Sequence, residues 1–379
     1  MKYILGQSAL SKSMVVALAM AAGFAVPVGA DTYTANTFLP PNHPQGKVLI
    51  DYAEDVREAT GGKVDFEVFT GGSLLPPREG LQGLSDGVAQ LGYFAGTYTP
   101  NELPLTNVLS NLAFNTSDMM VAALAYTEVN LTNELLQKEW ADNNIVFVSG
   151  HSTDSYLMIC RGQADNLAFF EGKKIRTPGG LWSRFAESVG AIPVNVPASE
   201  MYTGLERGLL DCVNNEVVAL KDRSLWDVTD SVNLAPLGTY FVGAAIAFNS
   251  PFWNGLDAET RSILLDESAS ALTRMEAGAF AGNVAARGEA EVEGITFHEP
   301  NEEIMNAIEA FRAADLAELL AGGRYDVADP KPVVDAYLEA AQRWTELLEG
   351  VDYADEVALA EIVRKEILSK IDVEAYGMR

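Results

Sequence analysis

Short strand-like segments alternate with helix-like segments along the chain from residue 31 onward. Residues 32–38, 63–69 and 88–94 have the alternating or uniformly apolar pattern of strands, and residues 45–59 and 78–85 between them have helical periodicity. Strands joined by helices of this length form βαβ units with a largely parallel sheet. The pattern therefore predicts an α/β fold.

A second series of such units begins near Asp154. A strand is predicted at residues 155–160, and the apolar segment 239–249 predicts a strand on which the chain returns to the first sheet. The 349 residues after residue 30 exceed what one hydrophobic core usually serves. We therefore expect two lobes, the first made of residues 31–153 and 243–281 and the second of residues 154–242 and 282–379.

Residues 257–293 favour a helix and contain no proline. One unbroken helix of this length would measure about 55 Å, which exceeds the diameter of one domain. Either the helix is broken at Gly278, Gly282 or Gly288, or it spans both lobes as a common spine.

The first thirty residues have the pattern of a secretory signal peptide. Lys2 and Lys12 precede an apolar run from residue 14 to 26, and Val28-Gly29-Ala30 supplies the small residues of a cleavage site. The alternative is a membrane anchor, but the run is shorter than the roughly 20 residues that cross a bilayer. We therefore expect cleavage after Ala30 and a periplasmic protein.

The charge of the chain narrows its partners. Without residues 1–30 the chain keeps 24 basic and 53 acidic residues, a net charge of −29. Such a surface repels nucleic acid and anionic lipid. An anionic ligand must then be held by arginines placed close to it. Cys160 and Cys212 form one bridge if their strands are neighbours, and otherwise they are small buried side chains.

The stretch from Gly172 to Gly180 contains the strongest candidate for a ligand-binding side chain. Ile175 ends a short apolar run, and Pro178-Gly179-Gly180 cannot extend a strand, so Arg176 is predicted at a strand-to-helix turn. A guanidinium there offers a fork of donors to a carboxylate, and the following helix adds its N-terminal N–H groups. The alternative is an arginine that snorkels at a strand end or pairs with a surface acid.

Several segments together resemble the periplasmic solute-binding proteins of tripartite ATP-independent periplasmic (TRAP) transporters, of the dicarboxylate-binding (DctP) type. The resemblance covers the chain from about residue 31 to 249. It rests on an ordered set of motifs: His43-Pro-Gln-Gly46, Thr60-Gly-Gly-Lys-Val64, Phe69-Thr-Gly-Gly-Ser73, Arg78-Glu79, Gly172-Lys-Lys-Ile-Arg-Thr-Pro178, Gly190-Ala-Ile-Pro-Val194 and the block Glu200-Met-Tyr-Thr-Gly-Leu-Glu-Arg-Gly-Leu-Leu-Asp211.

The resemblance implies a two-lobed Venus-flytrap fold with strands crossing between lobes, a ligand in the cleft and no catalysis. It places the family's carboxylate-binding arginine on Arg176 and its asparagine on Asn215, with Asn214 beside it. Where many members have a second ligand-facing arginine, this chain has Tyr156 or a neighbour of it. A tyrosine hydroxyl cannot neutralise a second charge. We therefore expect a monoanionic ligand to bind more tightly than succinate or fumarate.

Other side chains are weaker candidates for the cleft. Trp182, Phe94 and Tyr93 suit the walls around a ligand of apolar or cationic character, with a place in the core as the alternative. His43 lies in the first strand-to-helix loop, which should face the cleft of an open α/β sheet. Arg184 is a possible second anion donor, with a surface charge as the alternative.

The motifs of common enzyme classes are absent from the sequence. The chain has three scattered histidines and neither a Gly-x-Ser-x-Gly nor a His-Glu-x-x-His motif, although a glycosidase-like carboxylate pair is not excluded. We expect a monomeric binding protein without cofactor or metal, whose partners are a small organic acid and the permease subunits of a TRAP transporter. The alternatives are a sulfonate or a zwitterion as ligand, or service to another transporter or a chemoreceptor.

Overall fold

The computed structural model describes residues 31–116 and 118–378, so the predicted signal peptide lies outside the described residues. Strands and helices alternate along most of the chain. The strands are β1 (Asp31–Thr37), β2 (Val64–Phe69), β3 (Leu91–Ala95), β4 (Ile145–Ser149), β5 (Leu157–Cys160), β6 (Lys174–Thr177), β7 (Ile192–Asn195), β8 (Cys212–Asn215), β9 (Ser231–Asn233), β10 (Gly243–Asn249) and β11 (Thr296–His298). The helices are α1 (Pro44–Ala59), α2 (Gly80–Ser85), α3 (Pro104–Ser110), α4 (Met119–Thr132), α5 (Glu134–Asp142), α6 (Gly180–Ser188), α7 (Met201–Glu206), α8 (Ala219–Asp222), α9 (Ser250–Gly255), α10 (Ala258–Val292), α11 (Glu302–Leu320), α12 (Lys331–Leu347) and α13 (Glu356–Glu366).

The first sheet has the strand order β2-β1-β3-β10-β4. Its first three strands are parallel, and β10 runs antiparallel to both β3 and β4. Strands β3, β10 and β4 are buried along their whole length, whereas the edge strand β2 is buried only at Val64 and Phe66. The predicted strands at 32–38, 63–69 and 88–94 correspond to β1, β2 and β3.

The second sheet has the order β11-β9-β5-β8-β6-β7. Strands β8, β6 and β7 are parallel, and β5 runs antiparallel to its neighbours β8 and β9. Cys160 faces Cys212 across β5 and β8, and the two form a disulfide bond. Of the two alternatives for the cysteines, the structure has the bridge.

Two extended segments carry the chain between the sheets. Residues 150–156 lead from β4 to β5, and residues 234–242 lead back from β9 to β10. They run side by side, with hydrogen bonds from the Thr153 amide to the Tyr240 carbonyl (3.1 Å) and from the Val242 amide to the His151 carbonyl (3.0 Å). This pair of segments forms the hinge region between the two sheets.

Helix α10 is unbroken through its three glycines and is the third connection between the sheets. Its first part packs against α1, and Asn283 further along accepts a hydrogen bond from the Val218 amide beside α8 (2.8 Å). Of the two alternatives for residues 257–293, the structure therefore has the spine. By contrast, α4 and α5 are separate helices, because the Asn133 side chain caps α5 by accepting from the Leu135 and Leu136 amides.

The C-terminal helices lie on the side of the first sheet. Helix α12 packs on α4, and the Tyr376 hydroxyl donates to the Phe147 carbonyl in β4 (2.7 Å). The sequence placed residues 282–379 with the second lobe, whereas in the structure only the end of α10, β11 and α11 of this segment pack there. An amphipathic helix can cover either sheet, and its own pattern does not say which.

Candidate functional site

A cavity lies between the two sheets, beside the hinge region. Its wall includes Tyr93 and Tyr98 from the first side, Arg176 and Asn215 from the second, and Tyr156 from the hinge. The cavity volume is about 40 Å³. All the space free of protein atoms, including solvent at the mouth, amounts to about 450 Å³. The cavity volume is below the usual range of pockets for drug-sized ligands, so only a small ligand fits.

The two sides of the cleft touch each other around this cavity. The Thr97 hydroxyl donates to the Pro178 carbonyl (2.8 Å), and the Ala198 amide donates to the Tyr98 hydroxyl (3.1 Å). Arg78 stacks over the Tyr98 ring and donates to the Asn195 carbonyl (3.2 Å). The structure therefore has the arrangement of a closed cleft.

Arg176 lies near the carboxyl end of β6, paired in register with Val194 of β7 and Val213 of β8. Its side chain is 1 % exposed. Nε donates to the Val196 carbonyl (2.9 Å), Nη1 donates to the Asn214 carbonyl (3.0 Å), and Nη2 lies 3.4 Å from the Tyr98 hydroxyl. A guanidinium has five N–H groups, so these three contacts leave two without an acceptor among the described residues.

No carboxylate of the described residues lies within ion-pair distance of Arg176. An unpaired buried charge is unfavourable, and a buried arginine normally has an acid as its partner. The two free N–H groups and the missing counter-charge together make Arg176 suited to bind an anion in the cavity.

Tyrosines form much of the cavity wall. The rings of Tyr156 and Tyr240 stack in parallel with their centroids 5.5 Å apart, and Trp182 packs against both from behind. The Trp182 indole donates to the Leu237 carbonyl (3.0 Å), which fixes this support. The Tyr240 hydroxyl is hydrogen-bonded to the Thr97 hydroxyl (2.6 Å), whereas the Tyr156 hydroxyl has no hydrogen-bond partner among the described residues.

Two carboxyl groups line the same cavity. Burial raises the pKa of Glu216 to about 7, although a hydrogen bond from Asn283 lowers it. Burial likewise raises the pKa of Asp222 to about 6, although the nearby Arg223 lowers it. These two acids therefore titrate close to neutral pH.

His43 joins the first side of the cleft to Asp222. It caps α1, with Nδ1 accepting from the Gln45 amide (3.3 Å), and its Nε2 lies 3.0 Å from Asp222 Oδ2. Both oxygens of Asp222 nevertheless lack a hydrogen-bond partner among the described residues, so this contact is close without being aligned for a hydrogen bond. Burial, Arg223 and His151 hold the pKa of His43 well below its ordinary value, which keeps the ring neutral.

A buried chain of polar groups runs from the cavity into the hinge region. The Tyr93 hydroxyl donates to Gln45 Oε1 (3.3 Å), and Gln45 Nε2 lies 2.6 Å from His151 Nε2. His151 Nδ1 lies 2.5 Å from Glu276 Oε1 on α10. The chain fixes the orientation of Tyr93 at the cavity.

The structure brings five of the eight predicted site residues to the cavity: Arg176, Asn215, Tyr156, Tyr93 and His43. Asn214, Trp182 and Phe94 do not line it. Asn214 and Phe94 neighbour Asn215 and Tyr93 on their strands, and successive strand residues face opposite sides. The Asn214 amide therefore lies beside the Met158 sulfur (2.9 Å), and Phe94 packs on Trp140.

Helix α6 is placed differently from expectation. Its first residues do not line the cavity. The Arg176 side chain extends instead toward the end of β7. The sequence predicted that the helix N-terminus would share an anion with Arg176. Trp182 on this helix supports the tyrosine wall from behind.

The sequence interpretation missed part of the wall: Phe38, Tyr98, Glu216, Asp222, Arg223 and Tyr240. Glu216 directly follows Asn215 at the carboxyl end of β8, so its position was a usable signal. Asp222 and Arg223 reach the cavity through the short helix α8. Nothing in their local sequence pattern indicates that position.

Other structural features bear on function. A wider groove lies between α5, β4 and residues 370–378, but it contains no buried arginine. Among residues 31–116 and 118–378, no helix is long and apolar enough to cross a membrane. Within the same residues, no group of three or more His, Cys, Asp or Glu is arranged to hold a metal ion.

Comparison with known proteins identifies relatives. The ectoine-binding periplasmic protein TeaA of Halomonas elongata is 22 % identical over 221 residues, which are 58 % of this chain and 63 % of the relative, a little under two thirds of its length. The C4-dicarboxylate-binding periplasmic protein DctP of Rhodobacter capsulatus is 22 % identical over 258 residues, which are 66 % of this chain and 75 % of the relative.

The fold is similar to that of solved solute receptors. The structure of DctP7, a Bordetella pertussis extracytoplasmic solute receptor binding pyroglutamic acid, superimposes with a TM-score of 0.71 at 22 % identity and covers 82 % of this chain and 100 % of that one. The predicted two-lobed α/β fold is confirmed. Residues 35–321 match the sequence model of the bacterial extracellular solute-binding proteins, family 7. The chain belongs to this family, the DctP family of TRAP solute-binding proteins.

Proposed function

We propose that this protein is the extracytoplasmic solute-binding subunit of a TRAP transporter. It captures a small organic acid in the cleft between its two sheets, with Arg176 as the anchor for the carboxylate. It then delivers the ligand to the permease subunits in the membrane. The periplasm is the expected location, and we propose no catalytic activity.

The observation that carries this proposal is the state of Arg176. Among the described residues its buried guanidinium has no acidic partner and leaves two N–H groups unused, and a ligand carboxylate would complete it. Pairing also removes the penalty of the isolated charge. The relatives named above as binding ectoine, C4-dicarboxylates and pyroglutamic acid are consistent with a ligand that carries a carboxylate.

Closure of the cleft links binding to transport. The contacts of Tyr98 and Thr97 join the two sides only when the cleft is closed. A ligand that touches both sides binds the closed form better and shifts the population toward it. The permease can then distinguish the loaded protein from the empty one by shape.

The test is a calorimetric and thermal-shift screen of residues 31–379 against pyroglutamate, ectoine, succinate, benzoate and uncharged sugars. A ligand at 100 times its dissociation constant adds about 2.7 kcal/mol of stability, which raises the melting temperature by several degrees. Truncating one partner of a buried charge pair removes about 2–5 kcal/mol. Arg176→Ala should therefore reduce the affinity for the tightest-binding acid by about 30-fold or more.

Arg207→Ala is the matched control, because Arg207 is an exposed arginine at the end of α7. It should leave the affinity unchanged. Binding of sugars but of no acid, or near-native affinity of Arg176→Ala, would contradict the proposal.

A further inference from the structure

We propose that the ligand is a small zwitterion, with its carboxylate on Arg176 and its cationic nitrogen held by Glu216 and Asp222. This inference rests on the proposed function and specifies the class of organic acid. It is carried by the charges that line the cavity, by their free hydrogen-bonding atoms and by the aromatic wall.

At pH 8, where both Glu216 and Asp222 are ionised, the charges lining the cavity are balanced without a ligand. Arg176 and Arg223 are cationic, and Glu216 and Asp222 are acidic. A dicarboxylate would add two negative charges to this set, and a simple monocarboxylate would add one. A zwitterion adds none, which matters because charge imbalance is expensive in a site with little water. The strongly acidic chain offers no compensation from a distance.

The acidic groups have oxygens available for a donor. Both oxygens of Asp222 are buried and lack a hydrogen-bond partner among the described residues. Glu216 uses Oε2 to accept from the Asp154 amide (3.2 Å) and from Asn283 (3.0 Å). Its Oε1 accepts from none of the described residues. Unsatisfied buried acceptors favour a ligand that brings N–H groups or a positive charge.

Arg223 does not take the place of a second anion anchor. It is partly exposed, and it follows Asp222 directly in the sequence. Its charge acts on Asp222 and on the neutral His43, since it contributes to lowering the pKa of both. A second ligand carboxylate placed at Arg223 would lie beside the Asp222 carboxylate and be repelled by it.

The cationic and acidic parts of the site face the same tyrosine. Burial raises the pKa of Tyr156, Arg176 opposes that rise, and Glu216 adds to it. Tyr156, Arg176 and Glu216 all line the same cavity. The Tyr156 ring stacks on that of Tyr240 and both tyrosines line the cavity, so this part of the wall is aromatic. A short molecule with opposite charges at its two ends fits this arrangement.

The experiment compares zwitterions with isosteres in which carbon replaces nitrogen. The pairs are proline and cyclopentanecarboxylate, pipecolate and cyclohexanecarboxylate, and glycine betaine and 3,3-dimethylbutyrate, each measured by calorimetry on residues 31–379 at pH 8. Succinate is measured alongside. We expect at least one zwitterion to bind 10-fold or more tightly than its carbon isostere and than succinate.

Two variants connect this selectivity to the acids. Glu216→Gln and Asp222→Asn should each reduce the preference for the zwitterion over its isostere by about 10-fold. The control Glu187→Gln, an exposed acid on α6, should leave the preference unchanged. Because the comparison of pairs uses the unmodified protein, it stands even if a variant fails to fold.

Carbon isosteres that bind as well as the zwitterions, or tightest binding of succinate, would overturn this inference and leave the proposed function intact. A preference that survives in both variants would overturn the role of Glu216 and Asp222. Absence of binding by every carboxylate would overturn this inference and the proposed function together.

Discussion

Two arginines eight residues apart, Arg176 on β6 and Arg184 on α6, have opposite surroundings. Arg184 donates from Nε and Nη2 to the two oxygens of Asp315 on α11 (2.6 and 3.0 Å) and also bonds Asn111. Arg324 donates to the same carboxylate (2.9 Å). Arg176 is more deeply buried, yet the described residues give it only neutral oxygens.

The contrast separates a structural charge from a functional one. Burial raises the pKa of Asp315, but the hydrogen bonds from Arg184 and Arg324 hold it below its ordinary value. The Asp315 carboxylate is therefore charged and hydrogen-bonded. It links α6 and α11 to Arg324 in the segment that follows α11. Arg176 lacks such a partner and borders a cavity. A buried charge without a protein partner indicates where a ligand completes the structure.

The largest effect on stability is expected from Arg184→Ala. Removing one partner of a buried ion pair costs about 3 kcal/mol, and we expect about 2–3 kcal/mol here because Arg324 stays in place and the Arg184 side chain is 26 % exposed. The melting temperature should fall by several degrees, with ligand affinity nearly unchanged. Arg176→Ala should instead raise the melting temperature of the apo protein, since it removes an unpaired charge, and should weaken ligand binding.

Thermal unfolding of both variants without ligand checks this contrast, and Arg207→Ala serves as the exposed control. Equal destabilisation by Arg176→Ala and Arg184→Ala would show that Arg176 is also a structural group. A loss of ligand affinity in Arg184→Ala would show that the two arginines do not act separately.

A somewhat smaller effect is expected from Glu216→Gln, and it should depend on pH. Since burial raises the pKa of Glu216 to about 7, the folded protein holds a proton that the unfolded chain releases at about pH 4.5. This group therefore reduces stability as the pH rises from about 4.5 to 7, and the loss stays complete above pH 7. Glutamine cannot ionise, and its oxygen can still accept from Asp154 and Asn283.

The variant should be close to the wild type in stability at pH 4.5 and more stable by about 2 kcal/mol at pH 8. Melting temperatures of the two apo proteins across this range measure the difference, in which the titration of shared groups such as Glu276 cancels. A difference that is independent of pH would mean that Glu216 is not a buried acid of raised pKa. Glu187→Gln is the exposed counterpart.

The same contrast explains how much the sequence predicted. The βαβ pattern predicted β1 to β3 because each strand is a local apolar segment. Arg176 could be found because Pro178-Gly179-Gly180 ends its strand. The sequence could not show whether Arg176 has an acidic partner, because such partners can be distant in sequence. The acid that pairs with Arg184, for example, lies 131 residues away.

Strand parity limited the prediction of the site. Tyr93 and Phe94, and Asn214 and Asn215, are neighbours of similar polarity, so the pattern does not say which member of each pair faces the cavity. Asp222 and Arg223 reach the cavity through tertiary packing alone. The Cys160–Cys212 bridge depended on β5 and β8 being neighbours, which is a property of the topology and not of the spacing.

The smallest effect is expected from Tyr98→Phe, which tests the contacts that close the cleft over Arg176. The Tyr98 hydroxyl accepts from the Ala198 amide and lies near Arg176 Nη2, so it connects the first side of the cleft to the second. One such hydrogen bond contributes about 1 kcal/mol. Because it forms only in the closed cleft, its loss should raise the dissociation rate of the ligand about 5-fold and leave the association rate nearly unchanged. Stopped-flow measurement with the best acid gives both rates, with Tyr202→Phe on α7 as the matched control. An unchanged dissociation rate would mean that the cleft is held closed by the ligand on Arg176 itself, which would place still more of the binding energy on this arginine.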